Sequence, residues 1–352
     1  MSMLAEQVEV VIGVDTHKHT HTAAVVVAST GAAVDELTVP TDPDGYLALL
    51  DLAEAHPGIR AWAIEGTGGY GAGLTRFLLA AGERVIELDR PQRAKRRGGA
   101  KSDPLDAVRA AREALGRSQL ATPRARGERA ALSVRLAARR SAVEASTGAQ
   151  RQLHALVVMA PEALRGRFRG KTTLQMVDVA CRLRIDPRWD LETRTTADVL
   201  RCLGRRSKSL AEEARLHEQA ILEVVRSWRP DLLDQQGVGP IVAATVLCAW
   251  SHPGRCRNDG AFAMLGGVAP IPASSGMTTR HRLNRYGDRQ LNRALHTVVL
   301  SRLRYDPDTK AYAEARTKEG KSPREIKRCL KRYVARQLYR QLENPPVVLD
   351  NP

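Results

Sequence analysis

The chain has 352 residues, a formal net charge of +16 and only 4% aromatic residues. This length allows a sizeable core and two or three domains, and the positive surplus favours a polyanionic partner such as nucleic acid. The scarcity of aromatic residues argues against recognition by stacking of many bases, so arginine contacts to phosphates and grooves are expected instead.

Residues 8–117 have the pattern of an α/β domain. Strands are predicted at residues 8–15, 22–29, 33–39, 59–65 and 84–89, and helices at 45–55, 71–81 and 104–115. Three early strands followed by alternating helix and strand match an RNase H-like order. The alternation predicts a partly parallel sheet covered by helices.

Residues 121–229 are poor in glycine and have long helical periodicity. One apolar seam is formed by Leu210, Ala214, His217, Ile221, Val224 and Trp228. An earlier seam comprises Leu132, Leu136, Val143, Leu153 and Val157, and it is interrupted by Arg139, Ser146 and Gln150. Residues 168–189 between the two seams are predicted to be less regular. A helical bundle packed within the chain and a coiled coil that joins subunits both remain open.

The remaining chain is predicted to be mainly helical. Residues 232–247 suggest helix, Gly-Val-Gly turn, helix, similar to a helix-hairpin-helix element, although a simple packing turn is equally compatible. Residues 322–340 predict a basic helix with an apolar stripe. We expect domains at residues 1–120, 121–229 and 230–343, followed by a disordered tail at 344–352.

Four acidic residues lie at the ends of predicted elements: Asp15, Glu65, Asp103 and Asp106. Carboxylates at strand ends and at a helix start can converge on one point of a sheet, and converging carboxylates repel each other unless divalent cations lie between them. The pattern therefore predicts a Mg²⁺ site for phosphoryl transfer. The alternative for Asp103 and Asp106 is helix capping, with Pro104 as the first helical residue.

Three histidines follow Asp15 at alternate positions, namely His17, His19 and His21. A metal-binding row is one interpretation, but exposed histidines on a strand edge are the interpretation that we prefer.

Two basic segments suggest contacts to a nucleic-acid backbone. The first precedes Asp103 and contains Arg93, Lys95, Arg96, Arg97 and Lys101. The second follows the serine pair Ser274 and Ser275 and contains Arg280, Arg282, Arg285, Arg289 and Arg293. A serine hydroxyl beside several guanidinium groups can attack a phosphodiester, because the cations neutralise the developing charge. A surface turn followed by a DNA-binding helix is the alternative.

Four segments occur together in one order: GVDTHK, IEGTGGYG, KSDPLDA, and LGGVAP…SSG…RYGDRQLNRAL. With a helical region between them, they resemble the insertion-sequence-110 transposases, relatives of the recombinase that inverts pilin genes. The resemblance covers residues 8–117 and about 230–315. It implies a RuvC-like DEDD domain, to which Asp15, Glu65, Asp103 and Asp106 map. It also implies a C-terminal transposase domain with a nucleophilic serine, Ser275, with Ser274 as the competitor because the doublet makes the alignment ambiguous.

The resemblance further implies an active site composed of the acidic and serine domains of different subunits, linked by a coiled coil. A homodimer or homotetramer follows from this analogy. Members related to this chain are similar to recombinases that are guided by a bridge RNA, whose base pairing with target and donor DNA supplies sequence specificity.

The sequence thus predicts a Mg²⁺-dependent DNA transposase, with Arg280, Arg282 and Arg285 as phosphate clamps. One alternative is a RuvC-like junction endonuclease that uses metal-activated water. A second is an actin-like sugar kinase or ATPase, suggested by GVDTH, and a third is a non-catalytic nucleic-acid scaffold.

The location of the protein is also predicted from its composition. The five scattered cysteines, with no C-x-x-C pair, fit a reducing cytosol and provide no zinc site. No apolar run approaches the roughly 20 residues of a membrane helix, and the first residues lack the order of a signal peptide. We expect a cytoplasmic protein without membrane association.

Overall fold

A computed structural model describes residues 2–88, 103–118, 120–273 and 281–345. The chain separates into two compact units, Met1–Ala125 and Arg126–Pro352. The division into three domains and a tail stays a prediction, and residues 346–352 of the expected tail lie outside the described residues.

The first unit contains a five-stranded mixed sheet with the order β3-β2-β1-β4-β5. Its strands are β1 (Val10–Thr16), β2 (Thr20–Val27), β3 (Ala33–Pro40), β4 (Arg60–Glu65) and β5 (Val85–Leu88), and its helices are α1 (Pro43–Glu54), α2 (Ala72–Ala80) and α3 (Asp103–Leu115). β1, β2 and β3 are antiparallel, whereas β4 runs parallel to both β1 and β5. The predicted elements and the partly parallel sheet are confirmed, with ends that agree within two residues.

The two faces of the sheet are covered by different helices, because successive side chains of a strand point to opposite faces. Val11 and Ala63 pack in the core that contains the alanines of α3. Ile12 and Trp62 pack on the other side, in the core that contains the apolar residues of α1 and α2. Asp15 has the same parity as Val11, and Glu65 has the same parity as Ala63, so both acids belong to the α3 face.

The second unit begins with a long antiparallel helix pair, α4 (Glu128–Met159) and α7 (Leu191–Trp228). Leu132 near the start of α4 shares a core with Ile221 near the end of α7. Leu153 near the end of α4 shares a core with Ala197 near the start of α7. Both predicted seams therefore take part in a helical hairpin within one chain.

The polar residues that interrupt the first seam have partners on α7. Ser146 Oγ donates a hydrogen bond to the Ser207 carbonyl at 3.1 Å, and both serines are buried. Gln150 Nε2 donates to Ser207 Oγ at 3.2 Å, and Arg139 pairs with Glu218 at 2.9 Å. These contacts satisfy polar groups that a regular apolar seam would exclude, so the interruptions belong to the interface.

The segment between the long helices is more regular than predicted. It contains α5 (Glu162–Phe168) and α6 (Thr173–Cys181), and α6 begins at a capping box formed by Thr172 and Gln175. α6 packs against α7 at Gly204, where a Cβ atom would lie 2.9 Å from the Ala180 Cβ. The expectation of an irregular insertion at residues 168–189 is wrong for α6. That expectation is based on the spacing of apolar residues, which does not include the polar helix-start signal Thr-x-x-Gln.

The C-terminal helices surround a shared core. The elements are a 3-10 helix (Pro230–Asp234), α8 (Pro240–Trp250), α9 (Asp259–Leu265), the ribbon strands β6 (Ile271–Pro272) and β7 (His281–Arg282), α10 (Arg289–Tyr305), α11 (Pro307–Lys318) and α12 (Pro323–Glu343). α12 confirms the predicted basic helix, since Ser322 and Glu325 form a capping box at its start.

The predicted helix-turn-helix at residues 232–247 is only partly right. The first element is the 3-10 helix rather than an α-helix, and Gly237 follows with a φ of +84° that an α-helix cannot include. The second element, α8, is buried along most of its length, including Val242, Ala244 and Leu247. The sequence left two interpretations open, a helix-hairpin-helix element and a simple packing turn, and the packing turn describes this segment well.

Candidate functional site

Asp15 and Glu65 lie at the ends of adjacent parallel strands. The register pairs Val14 with Ile64, so the next residue along each strand is Asp15 or Glu65. Thr16 Oγ1 donates a hydrogen bond to the Glu65 carbonyl oxygen at 3.0 Å, which ties the two strand ends together. Because both acids belong to the α3 face, the sheet presents them on the side from which α3 approaches.

α3 places Asp103 beside the end of β1. The helix begins at Asp103 and buries a row of alanines against the sheet, including Ala107 and Ala111. Small side chains allow the helix backbone to approach the strand closely, most of all at Gly13 of β1, where a Cβ atom would overlap the Ala107 carbonyl. This contact determines how near the start of α3 lies to the end of β1.

Asp15, His17 and Asp103 form a compact group. His17 Nε2 lies 3.1 Å from Asp15 Oδ2 and 3.5 Å from Asp103 Oδ1. One possible ligand atom from each residue lies within 4.8 Å of those of the other two. Among the described residues, this is the one group of three or more carboxylate, imidazole or thiolate side chains that lie close enough together to hold a metal ion.

Charge repulsion is built into this group. Burial raises the pKa of the Asp15 carboxyl, His17 opposes that rise, and the carboxylates of Asp103 and Asp106 raise the pKa further. An ionised Asp15 is thus held at a free-energy cost beside two other carboxylates. A divalent cation would remove this cost, which is the fit expected of a metal centre.

The other two predicted acids are placed differently. Asp106 lies one helical turn after Asp103 and accepts a hydrogen bond from Arg109 at 2.6 Å, although its charge still acts on Asp15. Glu65 is half-buried at the end of β4. Neither belongs to the group with ligand atoms within 4.8 Å of one another among the described residues. The structure thus brings Asp15 and Asp103 together, and the imidazole of His17 is an additional possible metal ligand.

The interpretation of the histidines as exposed strand-edge residues is wrong for His21. β1 ends at Thr16, so the chain turns before β2 and the three histidines do not form one row. His17 reaches the acids, His19 is exposed, and His21 is fully buried, stacked on Tyr46 with a centroid distance of 6.0 Å. The alternation of histidines could not predict the burial of His21, because the chain turns between β1 and β2, within the alternating segment.

Several predicted residues lie outside the described residues. They are Ser274, Ser275, Arg280, Arg93, Lys95, Arg96, Arg97 and Lys101. Arg282, Arg285 and Arg289 are described, and all three are exposed.

Two short strands, β6 and β7, lie on either side of the serine pair in the sequence. β6 and β7 pair as an antiparallel ribbon, with Ile271 opposite Arg282. Beside it, Gly287 has a φ of +103°, and a Cβ atom there would lie 2.6 Å from the Leu265 carbonyl oxygen. Gly267 also has a positive φ, of +63°. Glycine is needed at both positions because a side chain would be strained at this φ and would meet neighbouring backbone.

Two regions of the chain match models of transposases. Residues 12–160 match the DEDD transposase model of the IS110 group, and residues 231–314 match the transposase model of the IS116/IS110/IS902 family. The two matches occur in the order predicted and together cover about two thirds of the chain. The chain therefore contains two regions similar to the transposase domains that these models describe.

These matches support a transposase or recombinase, and such a family implies DNA binding and the use of a divalent metal. No curated protein matches the chain. Among the described residues, no helix is both long enough and apolar enough to cross a membrane.

Proposed function

We propose that this protein is a Mg²⁺-dependent DNA transposase with a RuvC-like N-terminal domain. The strand order β3-β2-β1-β4-β5, with three antiparallel strands followed by parallel ones, supports this RNase H-like assignment. The observation that supports the function most is the approach of His17 Nε2 to both Asp15 and Asp103. It brings the end of β1 and the start of α3 to one point, within a region that matches a DEDD transposase.

The proposed acidic centre consists of Asp15, Glu65, Asp103 and Asp106. His17 is an additional proposed metal ligand. A divalent metal held there would stabilise negative charge on the attacking and leaving oxygens of a phosphodiester. The role of the protein groups is to hold that position and to orient the scissile phosphate. The fixed register of β1 and β4 and the close packing of α3 preorganise them for this role.

Ser275 is the proposed nucleophile, with Ser274 as the competitor. Its hydroxyl oxygen forms a bond to phosphorus while a deoxyribose oxygen leaves, which gives a protein–DNA ester. Attack of a second DNA hydroxyl on that ester releases the serine and joins the new strands, so the bond energy is conserved. Arg280, Arg282 and Arg285 are proposed to contact the phosphates.

Trapping of the covalent intermediate tests this mechanism. The full chain is incubated with DNA of the element ends and Mg²⁺, then denatured and separated by electrophoresis. We expect a protein–DNA adduct that is lost in Ser275→Ala, retained in Ser274→Ala and lost in Asp15→Asn. Cleavage without any adduct would instead support the junction endonuclease that uses water. DNA binding without cleavage would support the scaffold.

We also propose a bridge RNA and a homo-oligomer as partners. The net charge of +16 supports binding of a structured RNA together with DNA, and the cationic residues Arg93, Lys95, Arg96, Arg97 and Lys101 are proposed contacts. Nucleic acid extracted from the purified protein should contain one discrete RNA, encoded next to the gene. Its absence from a protein that still recombines DNA would remove the guide from the proposal.

A further inference from the structure

Two helices of the second unit place cationic side chains on one shared surface. Arg289, Arg293 and His296 lie on one side of α10 because they are spaced four and three residues apart. Lys327 and Lys331 lie one turn apart on α12. We call these five residues the α10–α12 basic face.

The two helices meet at Asn292, which lies on the same side of α10. Lys331 Nζ donates a hydrogen bond to Asn292 Oδ1 at 3.2 Å. The Asn292 amide nitrogen donates to the Gly266 carbonyl oxygen at 2.7 Å. The basic face is therefore fixed to the turn that precedes the β6–β7 ribbon, and the predicted serine nucleophile follows this turn in the sequence.

The two lysines of α12 are close enough to His296 of α10 to act on its protonation. Burial lowers the pKa of His296, and Lys331 and Lys327 lower it further. Burial also lowers the pKa of Lys331, to which Arg328 adds. At pH 7 the imidazole of His296 is therefore neutral, and the charges of the face are those of Arg289, Arg293, Lys327 and Lys331.

Other cations of α12 are neutralised within the protein. Arg332 and Arg336 pair with Asp259 at 2.7 and 3.1 Å. In contrast, no ion pair between residues of the described ranges involves a member of the basic face. The nearby carboxylate of Glu325 is held by the Ser322 hydroxyl and backbone at the start of α12.

We propose that the α10–α12 basic face binds the phosphate backbone of duplex DNA. A row of cations that has no ion-pair partner among the described residues is complementary to a regular polyanion, and binding gains affinity from the release of the polyanion's counterions. The face includes no phenylalanine, tyrosine or tryptophan ring, so contact with a phosphate backbone, rather than stacking of successive bases, is what it offers. The choice of DNA as the polyanion rests on the proposed function.

The test measures binding of the full chain to a short DNA duplex of arbitrary sequence, in EDTA so that no metal-dependent cleavage occurs. Fluorescence anisotropy gives Kd between about 50 and 200 mM salt. Each lysine that contacts a phosphate contributes about one unit to the slope of log K against log salt. We expect Lys327→Gln/Lys331→Gln to weaken binding and to reduce the slope by about 2, and Lys327→Arg/Lys331→Arg to retain both.

The matched control is Lys310→Gln/Arg340→Gln, which removes the same charge elsewhere. Arg340 lies nine residues after Lys331, on the opposite side of α12, and Lys310 is exposed on α11. An unchanged slope in the Lys327/Lys331 variant, or an equal loss in the control, would overturn the proposal. A loss seen on duplex RNA but not on DNA would overturn the choice of DNA. If the slope falls as expected but the protein does not recombine DNA, the proposal for the basic face stands and only the proposed function is rejected.

Discussion

Gly13 of β1 and Ala107 of α3 are in direct backbone contact, and this contact is what permits the two acidic segments to meet. A Cβ atom at residue 13 would overlap the Ala107 carbonyl oxygen and lie 2.7 Å from the Ala111 nitrogen. Asp15 lies two residues after Gly13, and Asp103 lies one helical turn before Ala107. The distance between the helix and the strand therefore controls the geometry of the candidate metal centre.

Gly13→Ala should push α3 away from the sheet. We expect a loss of about 1–3 kcal/mol in the free energy of unfolding, as for other overpacked cores, together with a loss of stabilisation by added Mg²⁺. Chemical denaturation with and without Mg²⁺ measures both effects. Gly148→Ala is the control, because a Cβ atom there meets nothing within 4 Å and alanine favours the helix. A Gly13→Ala protein with full Mg²⁺ stabilisation would show that the close approach is not required.

His17 should influence which metal is preferred. Mg²⁺ favours oxygen ligands, whereas imidazole suits transition metals such as Ni²⁺. Residues that only support metal ligands contribute about 10–100-fold to metal affinity. His17→Ala should therefore weaken Ni²⁺ binding by at least about tenfold and Mg²⁺ binding less. Calorimetry with each metal measures the difference, and His19→Ala is the matched control. Equal losses for both metals would mean that His17 orients Asp15 and does not bind the ion.

Arg229 should be a strong determinant of stability in the second unit. Its side chain is 8% exposed and pairs with Asp231 at 2.7 Å. The guanidinium also donates hydrogen bonds to the carbonyl oxygens of Gln341 and Leu342 at the end of α12. Removing one member of a buried pair leaves the other charge uncompensated. We expect Arg229→Met to cost about 3–5 kcal/mol in thermal or chemical unfolding.

The chain contains a matched control for that change. Arg188 pairs with Asp186 at 2.7 Å, also two residues apart, but its side chain is 88% exposed. Arg188→Met should cost much less in the free energy of unfolding, because water screens an exposed pair. Similar losses in the free energy of unfolding for Arg229→Met and Arg188→Met would show that burial does not strengthen the Arg229 contacts.

His21 should make the stability of the first unit depend on pH. Burial lowers the pKa of its imidazole below the ordinary value of 6.5, and the Thr20 backbone raises that pKa by less. Because the unfolded chain binds the proton more readily, stability is complete above about pH 6.5 and falls as pH drops through the folded pKa. His21→Leu should reduce this loss between pH 7 and 5 in thermal unfolding, whereas His19→Ala should not. An unchanged pH profile in His21→Leu would assign the acid sensitivity to other groups.

The secondary structure of the first unit follows from local signals. Apolar runs of four to eight residues, glycine turns and the Asp-Pro helix start are sufficient to place β1 to β5 and α1 to α3. The same signals locate Asp15, Glu65 and Asp103 at element ends, which is why the acidic residues could be selected without a structure. The 3-10 helix before α8 could not be predicted in this way, because its apolar pattern fits either kind of helix.

The helical hairpin shows a second limit of pattern analysis. Ser146 and Gln150 weaken the apolar repeat of α4, yet both contact Ser207 across the interface. Nothing in the repeat indicates that the facing residue is a serine 61 positions away. Hydrogen-bond satisfaction depends on the facing helix, so it is a property of the pair and not of either sequence alone.

Residue order and composition were therefore enough to establish the α/β and helical regions, the basic character and the acidic residues of this protein. Which of those residues meet was settled by packing between segments distant along the chain. The approach of Asp103 to Asp15, the recruitment of His17 and the burial of His21 all follow from how α3 and the β1–β2 turn dock on the sheet. Local propensities act over a few residues, whereas these contacts depend on strand register and on backbone clearance at Gly13, which arise only when the whole sheet assembles.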